Sequence, residues 1–413
     1  MIAPALSERA AARYNVRPLL SSNADVLRDE VVGLGVETGR LTVLASHAAM
    51  EALAIENIDA AQLDALQHAV GQGGGALLTD VGRTRAIVVM PLLTAAELSG
   101  RLSEFGPSPA ELGATVARAL VARGAPPPPV HAGPYLLEFG RRTLVMGVIN
   151  TTPDSFSGDG VPDAATALEL ARAMADAGAD VIDIGGESTR PNSTPVPVED
   201  ELRRVIPAVS AIAAAVPIPV SIDTRKPSVA AAAVDAGAVI VNDVWGLRAE
   251  PEMAAVVAAY PACALIVMHN QRGTEYANLL SDVCRELRQS LALAAEAGIA
   301  ADRVIVDPGF GFAKTPADNL ELVRRLGELR ALGRPLLVGV SRKSTIGLLT
   351  DGAPVDQRIE GGLALTALAI QGGADIVRTH DIAATLRAAR VADAVVRGTP
   401  EAVRALPPPG ATG

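Results

Sequence analysis

Val-Ser-Ile-Asp-Thr-Arg-Lys-Pro-Ser-Val-Ala-Ala-Ala-Ala-Val-Asp-Ala-Gly-Ala-Val-Ile-Val-Asn-Asp, residues 220–243, holds one complete structural period. It opens on a short apolar run ending in Asp223, passes through an alanine-rich helical stretch, turns at Ala236-Gly237 and closes on a second apolar run ending in Asn242-Asp243. These runs are unbroken rather than alternating, as in strands buried on both faces of a parallel sheet. The period recurs through the C-terminal two-thirds of the chain. Val-Met-Gly-Val-Ile runs into Asn150, Val-Ile-Asp-Ile into the 185–191 loop, Leu-Ile-Val-Met into His269 and Val-Ile-Val into Asp307. Leu-Leu-Val-Gly-Val ends at Ser341-Arg342-Lys343, and Asp-Ile-Val at Arg378-Thr379-His380. Eight strand–helix units make a (β/α)8 (TIM) barrel, an α/β fold whose active site lies at the C-terminal ends of its strands. Ala177-Gly178, Ala236-Gly237, Ala297-Gly298 and Gly372-Gly373 each precede an apolar run, where glycine supplies the left-handed turn out of a helix.

The 413 residues suffice for this barrel and a second, smaller domain. The boundary is written in Gly124-Ala-Pro-Pro-Pro-Pro-Val-His-Ala-Gly-Pro134, since consecutive prolines favour an extended spacer and cannot continue a helix. Residues 1–123 read as a small N-terminal α/β domain of unknown role, 124–134 as a Pro-rich linker, 135–397 as the barrel and 398–413 as a C-terminal tail whose last residues, 406–413, read as disordered. In the N-terminal part, 23–32 and 59–70 have amphipathic helical spacing, the second capped by Asp59, and 76–79 and 86–90 read as strands around a polar turn. His47, His68 and Gly73-Gly-Gly75 lie there too; scattered histidines and a flexible loop account for them. Every residue with a chemical reading lies after the linker, so cutting there is expected to leave a barrel that still binds its ligand.

A net charge of −10 argues against a general nucleic-acid surface, which would be basic. No apolar stretch approaches the length of a membrane span and no signal peptide opens the chain, so a cytoplasmic protein is expected. Cys263 and Cys284 make neither a disulfide framework nor a zinc spacing and read as buried thiols.

The strand-end residues carry the chemistry. Asn150 begins a Thr-Thr-Pro-Asp-Ser turn, and its amide suits a metal or a phosphate oxygen as well as a plain turn. Gly185-Gly-Glu-Ser-Thr-Arg-Pro191 offers accessible N–H groups, the Thr189 hydroxyl and the Arg190 guanidinium, suitable partners for phosphate. Asp223, Asn242 and Asp307 suit a flat, nitrogen-rich heterocycle, because a carboxylate accepts two parallel N–H bonds and an Asn amide both donates and accepts. Ser341-Arg342-Lys343-Ser344 before a helix, and Arg378 and His380 after the eighth strand, favour an anion. Gly309-Phe-Gly-Phe-Ala-Lys314-Thr315 lacks the glycine that precedes a P-loop lysine, so nucleotide triphosphate binding is rejected. His269 lacks a second ligand at metal spacing and reads as a bonded strand-end histidine.

Taken in order, these motifs resemble dihydropteroate synthase, a pterin-binding TIM-barrel family, over roughly residues 142–395. The matching stretches are 146–156, Asp183-Ile-Gly-Gly-Glu-Ser-Thr-Arg-Pro191, 221–227, Val241-Asn-Asp243, Asp307-Pro-Gly-Phe-Gly-Phe312, Gly339-Val-Ser-Arg-Lys-Ser344 and Arg378-Thr-His-Asp381. Thr379 departs mildly from the aliphatic residue expected there. Residues 23–123 faintly resemble an N-terminal extension of some bacterial members. The resemblance implies condensation of (7,8-dihydropterin-6-yl)methyl diphosphate with p-aminobenzoate in folate biosynthesis, with Mg2+ as cofactor. It implies that Asp223, Asn242, Asp307 and Lys343 hold the pterin, and that Asn150 (with Mg2+), Arg190, Arg378 and His380 hold the diphosphate. Thr189, Pro191, Phe312 and Ser344 would shape the p-aminobenzoate pocket, the target of sulfonamides, with Asp223, Lys343 and Arg190 closest to the catalysis. It further implies a homodimer. A pterin-dependent methyltransferase would share the Asp and Asn grip but has less use for the Ser-Arg-Lys-Ser and Arg-x-His motifs. A non-catalytic pterin-binding regulator would need no leaving-group site.

Overall fold

The computed structural model describes residues 15–19, 33, 50–151, 163–187 and 196–398. The expected Thr189, Arg190 and Pro191, the helix at 23–32, His47 and residues 399–413 of the tail lie outside them. The chain sorts into two compact units. The first takes residues up to Pro127 together with Glu275–Glu296 and Arg325–Arg334, and the second takes the remainder.

In the first unit, β1 (Arg17–Leu19), β2 (Met50–Glu56), β3 (Ala76–Thr79) and β4 (Arg85–Pro91) form an antiparallel sheet in the order β1-β2-β4-β3. The helix Ala60–Gln72 starts where the sequence places it, in a capping box between Asp59 and Gln62. Its Leu63 and Leu66 join Leu53, Val88, Leu112 and Ala331 in one apolar core. Ala331 comes from the 3-10 helix Leu326–Leu332, so that segment shares a core with residues more than two hundred positions earlier. A buried ionic cluster lies beside it. The fully buried Arg17 pairs with the fully buried Glu328, which also accepts from Arg325 Nε at 2.7 Å and Nη2 at 3.0 Å. Arg17 further donates to Ser281 Oγ on the helix Leu279–Glu296.

The second unit is the barrel. Its strands are β7 (Leu144–Asn150), β8 (Val181–Gly185), β9 (Val220–Asp223), β10 (Ile240–Asp243), β11 (Ala264–Met268), β12 (Val304–Asp307), β13 (Leu337–Val338) and β14 (Ile376–Thr379). All pair in parallel in the order β12-β11-β10-β9-β8-β7-β14-β13. A bridge from Val306 to Leu336 joins the two ends of the sheet, so the barrel closes. Closure leaves no sheet edge and buries nearly every strand residue, the physical reason for the unbroken apolar runs. Glycines 178, 237 and 373 adopt positive φ, and the next N–H returns to the carbonyl five residues back, from Ala179 to Met174, Ala238 to Ala233 and Ala374 to Ala369. This is the Schellman closure of a helix end, and it aims the chain into the next strand.

Residues 130–132, read from sequence as spacer, form β5 and pair with β6 (Tyr135–Leu137) in a hairpin. Val130, Ala132, Leu137 and Phe139 pack with Met146, Ile240 and Ile305 in the N-terminal halves of the barrel strands, plugging the end opposite the strand-end polar groups. Among the described residues no helix is long and apolar enough to cross a membrane.

Candidate active site

Strand register assembles the site. Asn150 is paired with Gly185, Gly185 with Asp223, and Asp223 with Asn242, so three polar side chains and a glycine stand at one level on four neighbouring strands. A Cβ on Gly185 would lie 3.7 Å from the Asp223 Cβ and 3.8 Å from Asn150 Oδ1, which shows how closely these ends meet. Asp183, on the same face of β8 but one layer deeper, is fully buried and accepts from Asn242 Nδ2 at 3.1 Å. Arg378 reaches in from β14, donating through Nε to Asp183 Oδ2 at 2.6 Å and through Nη2 to Asp223 Oδ2 at 2.8 Å.

The other oxygens of both carboxylates, Asp183 Oδ1 and Asp223 Oδ1, are buried with no hydrogen-bond partner among the described residues, as is Ser221 Oγ. A buried acceptor left unpaired costs about 1–3 kcal/mol, more when charged, so folded proteins rarely keep one without a use. Three together mark a place prepared for a donor-rich ligand. Burial pushes the Asp223 carboxyl up to about 7, against the opposing pull of Arg378. Burial likewise pushes Asp307 up to about 6, opposed by the Gly309 N–H, Lys343, Arg378 and Lys314.

The β12 loop forms the next wall. Asp307 accepts the Gly309 N–H at 2.7 Å. Gly309 has φ +72°, and a Cβ there would sit 2.1 Å from the His269 carbonyl oxygen, so the turn admits only glycine. At Gly311, φ +81°, a Cβ would meet the Lys343 stem at 2.8 Å. That close passage carries the Lys343 ammonium over the Phe312 ring, 4.0 Å from its centroid. Asn319 accepts the Gly311 N–H at 2.7 Å and donates to Thr345, tying this loop to the helix Ser344–Leu349. His269 is fully buried, its Nδ1 2.9 Å from Lys314 Nζ, which explains why it reads as a bonded histidine.

The β13 and β14 loops are locked to each other. Arg342, at φ +57° in a region that strains a non-glycine residue, grips Asp381 through Nε at 3.1 Å and Nη2 at 2.8 Å. Ser341 Oγ lies 3.1 Å from His380 Nδ1. Burial, aided by Arg378 and Arg342, pushes the His380 imidazole down to about 3, so at neutral pH this ring is an uncharged hydrogen-bonding group. Ser344 is exposed at the start of its helix.

The structure therefore brings Asn150, Asp223, Asn242, Asp307, Phe312, Lys343, Arg378 and His380 to the C-terminal ends of the strands. Arg378, expected from sequence among phosphate ligands, donates here to the carboxylates of Asp183 and Asp223. Asp243, which sequence placed beside Asn242, turns toward its own loop and accepts from Trp245 N at 2.9 Å and Leu247 N at 2.7 Å. Asp183 was not singled out by the sequence reading, although a carboxylate inside the apolar run Val-Ile-Asp-Ile is itself a signal. Also unassigned was the group in which Lys226 donates to Glu187 at 2.7 Å, Val196 O at 2.6 Å and Glu201. It holds both described ends of the loop after β8.

Comparison with known proteins gives this geometry a family. A sequence model described as pterin binding enzyme matches residues 146–380, from the first barrel strand to His380. A dihydropteroate synthase of Clostridium beijerinckii is 46% identical over 264 residues, covering 63% of this chain and 97% of that relative. The Xanthomonas albilineans dihydropteroate synthase, solved with 4-aminobenzoic acid, is 41% identical with a TM-score of 0.61, covering 68% of this chain and all (100%) of that one. The Yersinia pestis enzyme, solved in a sulfonamide drug complex, is 38% identical with a TM-score of 0.62, covering 65% of this chain and 98% of that one. With matches this full and a site of this chemistry, the chain belongs to the pterin-binding enzyme family, among its dihydropteroate synthases.

Proposed function

We propose that this chain condenses (7,8-dihydropterin-6-yl)methyl diphosphate with p-aminobenzoate, giving 7,8-dihydropteroate and pyrophosphate. The observation that carries the reading is the pair of buried carboxylates in the barrel, each with one oxygen that no described residue hydrogen-bonds. A pterin edge presents the N–H donors such oxygens lack. Asp223, Asn242, Asp307 and Lys343 hold the ring in this reading, with Asn150, Arg190, Arg378 and His380 toward the diphosphate. His380 serves there as a neutral hydrogen-bonding group. Thr189, Pro191, Phe312 and Ser344 face p-aminobenzoate, and sulfonamides compete for that place.

As the C–O bond to diphosphate breaks, positive charge builds on the pterin methylene, and the buried carboxylates are already oriented to stabilise it. The arylamine then forms the C–N bond and gives up a proton, with no covalent enzyme intermediate. Among the described residues no group of three or more His, Cys, Asp and Glu is placed to hold a metal. Asn150, with Oδ1 beside Gly185 at the barrel mouth, fits a Mg2+ that keeps water and phosphate oxygens as its other ligands. Bound there, Mg2+ would neutralise charge on the leaving diphosphate.

The family resemblance also implies a cytoplasmic homodimer. Leu368, Val391 and Val395 are exposed on the last two helices, Ile359–Gln371 and Ile382–Val396, and offer apolar surface to a second copy. Pyrophosphate release that requires both substrates and Mg2+ tests the activity. Methyl transfer from methyl-tetrahydrofolate without dihydropteroate would overturn it.

A further inference from the structure

β12 and β13 meet at the seam where the barrel closes, and the backbone ladder is shortest there. Among the described residues it is the single bridge Val306–Leu336, beside which Val306 N–H donates to Pro335 O at 3.0 Å. Every other pair of neighbouring barrel strands shares at least two register positions. The bridge lies below the two loops that carry Phe312 and Lys343. Side chains must therefore keep those loops in register.

One side chain crosses the seam above the bridge. Asn319, buried on the helix Pro316–Arg324, accepts the Gly311 N–H through Oδ1 at 2.7 Å and donates through Nδ2 to the buried Thr345 Oγ1 at 3.1 Å. A backbone N–H can only donate, so Gly311 fixes the amide oxygen toward the β12 loop and turns the amide N–H toward Thr345. Gly311 directly precedes Phe312, and Thr345 lies just beyond Lys343 and Ser344. The amide thus ties the backbone beside both partners of the contact that sets the Lys343 ammonium 4.0 Å from the Phe312 ring centroid. The β12 loop needs such a brace, since Ala313 sits at φ +47°, where a residue with a side chain is strained.

We infer that Asn319 is a positioning residue that holds Phe312 beneath Lys343 across the barrel seam, and through that contact places p-aminobenzoate for the reaction. This rests on the proposed function above. In that reading Asn319 touches neither substrate, and its effect passes through Phe312. A residue that acts through another leaves a signature: once the second is gone, removing the first costs little.

The test is a double-mutant cycle on the full-length protein, read by steady-state kinetics with thermal melting alongside. Asn319→Ala should raise the KM for p-aminobenzoate about fivefold, as Phe312→Leu does, and the double variant should be no worse than about fivefold. Thr345→Val, which removes only the arm that crosses the seam, should behave as Asn319→Ala does. Thr345→Ser keeps the hydroxyl and should keep the KM of the wild type. If Asn319→Ala does not fold, the Thr345 variants complete the cycle with Phe312→Leu. Effects that multiply, to about 25-fold in the double variant, overturn the inference and leave the proposed function standing. A lowered melting point with an unchanged KM marks a purely structural bridge and also overturns it. A wild type that forms no dihydropteroate overturns both readings.

Discussion

Two clusters of buried charge, one in each unit, differ in how completely they are satisfied. In the first unit, Glu328 has both oxygens taken, Oε1 by Arg325 and Oε2 by Arg325 and Arg17. In the barrel, Asp183 and Asp223 share one arginine, and among the described residues each retains an unpaired buried oxygen. A saturated cluster has nothing left to offer a ligand, and its energy goes into holding segments together. An unsaturated one keeps binding capacity at some expense in stability, which is the usual trade at functional sites. Burial alone does not separate the two carboxylate clusters; what differs among the described residues is that Glu328 has both oxygens bonded while Asp183 and Asp223 each have one that is not.

The largest effect should come from breaking the saturated cluster. Glu328→Ala removes the buried carboxylate that Arg17 and Arg325 share, a loss of about 3–5 kcal/mol. Denaturant unfolding should show the midpoint falling by the corresponding amount. Cutting the chain at residue 127 removes Arg17 and the core partners of Ala331 together. The truncated protein is therefore expected to expose the 275–296 and 325–334 segments and to lose cooperative melting. The proline stretch alone leads to the opposite expectation, a barrel that binds ligand without the preceding residues, and the melting of the truncated protein decides between the two.

Next in size is Asp223→Asn, which keeps volume but removes a charge aimed at the developing cation. Turnover should fall about 10²–10³-fold. Near-normal turnover would remove this carboxylate from the catalytic account. The same substitution should not lower the melting point at pH 8.

The pH dependence gives the reason, and its sign is opposite to that of a salt-bridged carboxylate. Asp223 and Asp307 have folded pKa values raised to about 7 and about 6. The native state therefore binds more protons than the unfolded state between about pH 4 and 7, so these groups make stability fall as pH rises through that window. Above about pH 7 their contribution is flat. Asp223→Asn should flatten this part of the melting profile, whereas pterin affinity in the wild type should rise from pH 6 to 8 as the acceptors ionise.

The smallest effect concerns Phe312. Phe312→Leu removes the ring beneath Lys343 and should cost about 1 kcal/mol, a roughly fivefold rise in KM. Steady-state kinetics with each substrate varied will show which KM moves.

The barrel was legible because each strand announces itself twice, by an apolar run and by the polar residue that ends it. Asp223, Asn242 and Asp307 were readable for the same reason. Asp183 was not, because it sits inside an apolar run and its importance depends on Arg378, 195 positions later. Arg378 was placed with phosphates because a guanidinium suits an anion; its chemistry was right, but sequence did not reveal that the nearest anions are the protein's own carboxylates. Strands as short as Val130–Ala132 carry too few residues to show a period. The sharing of Ala331 and Glu328 with the N-terminal core is packing across distant sequence, which leaves no local pattern at all.

The most direct test of the contrast is the melting shift produced by the pterin diphosphate in three proteins, wild type, Asp223→Asn and Glu328→Gln. A ligand at about 100 times its Kd stabilises by about 2.7 kcal/mol. The wild type should show that gain in full. Asp223→Asn should melt like the wild type without ligand and lose most of the gain. Glu328→Gln should melt lower without ligand and keep the gain. If instead Asp223→Asn retains the full shift while Glu328→Gln loses it, the unsaturated carboxylates are not the ligand site and the contrast between the two clusters is wrong.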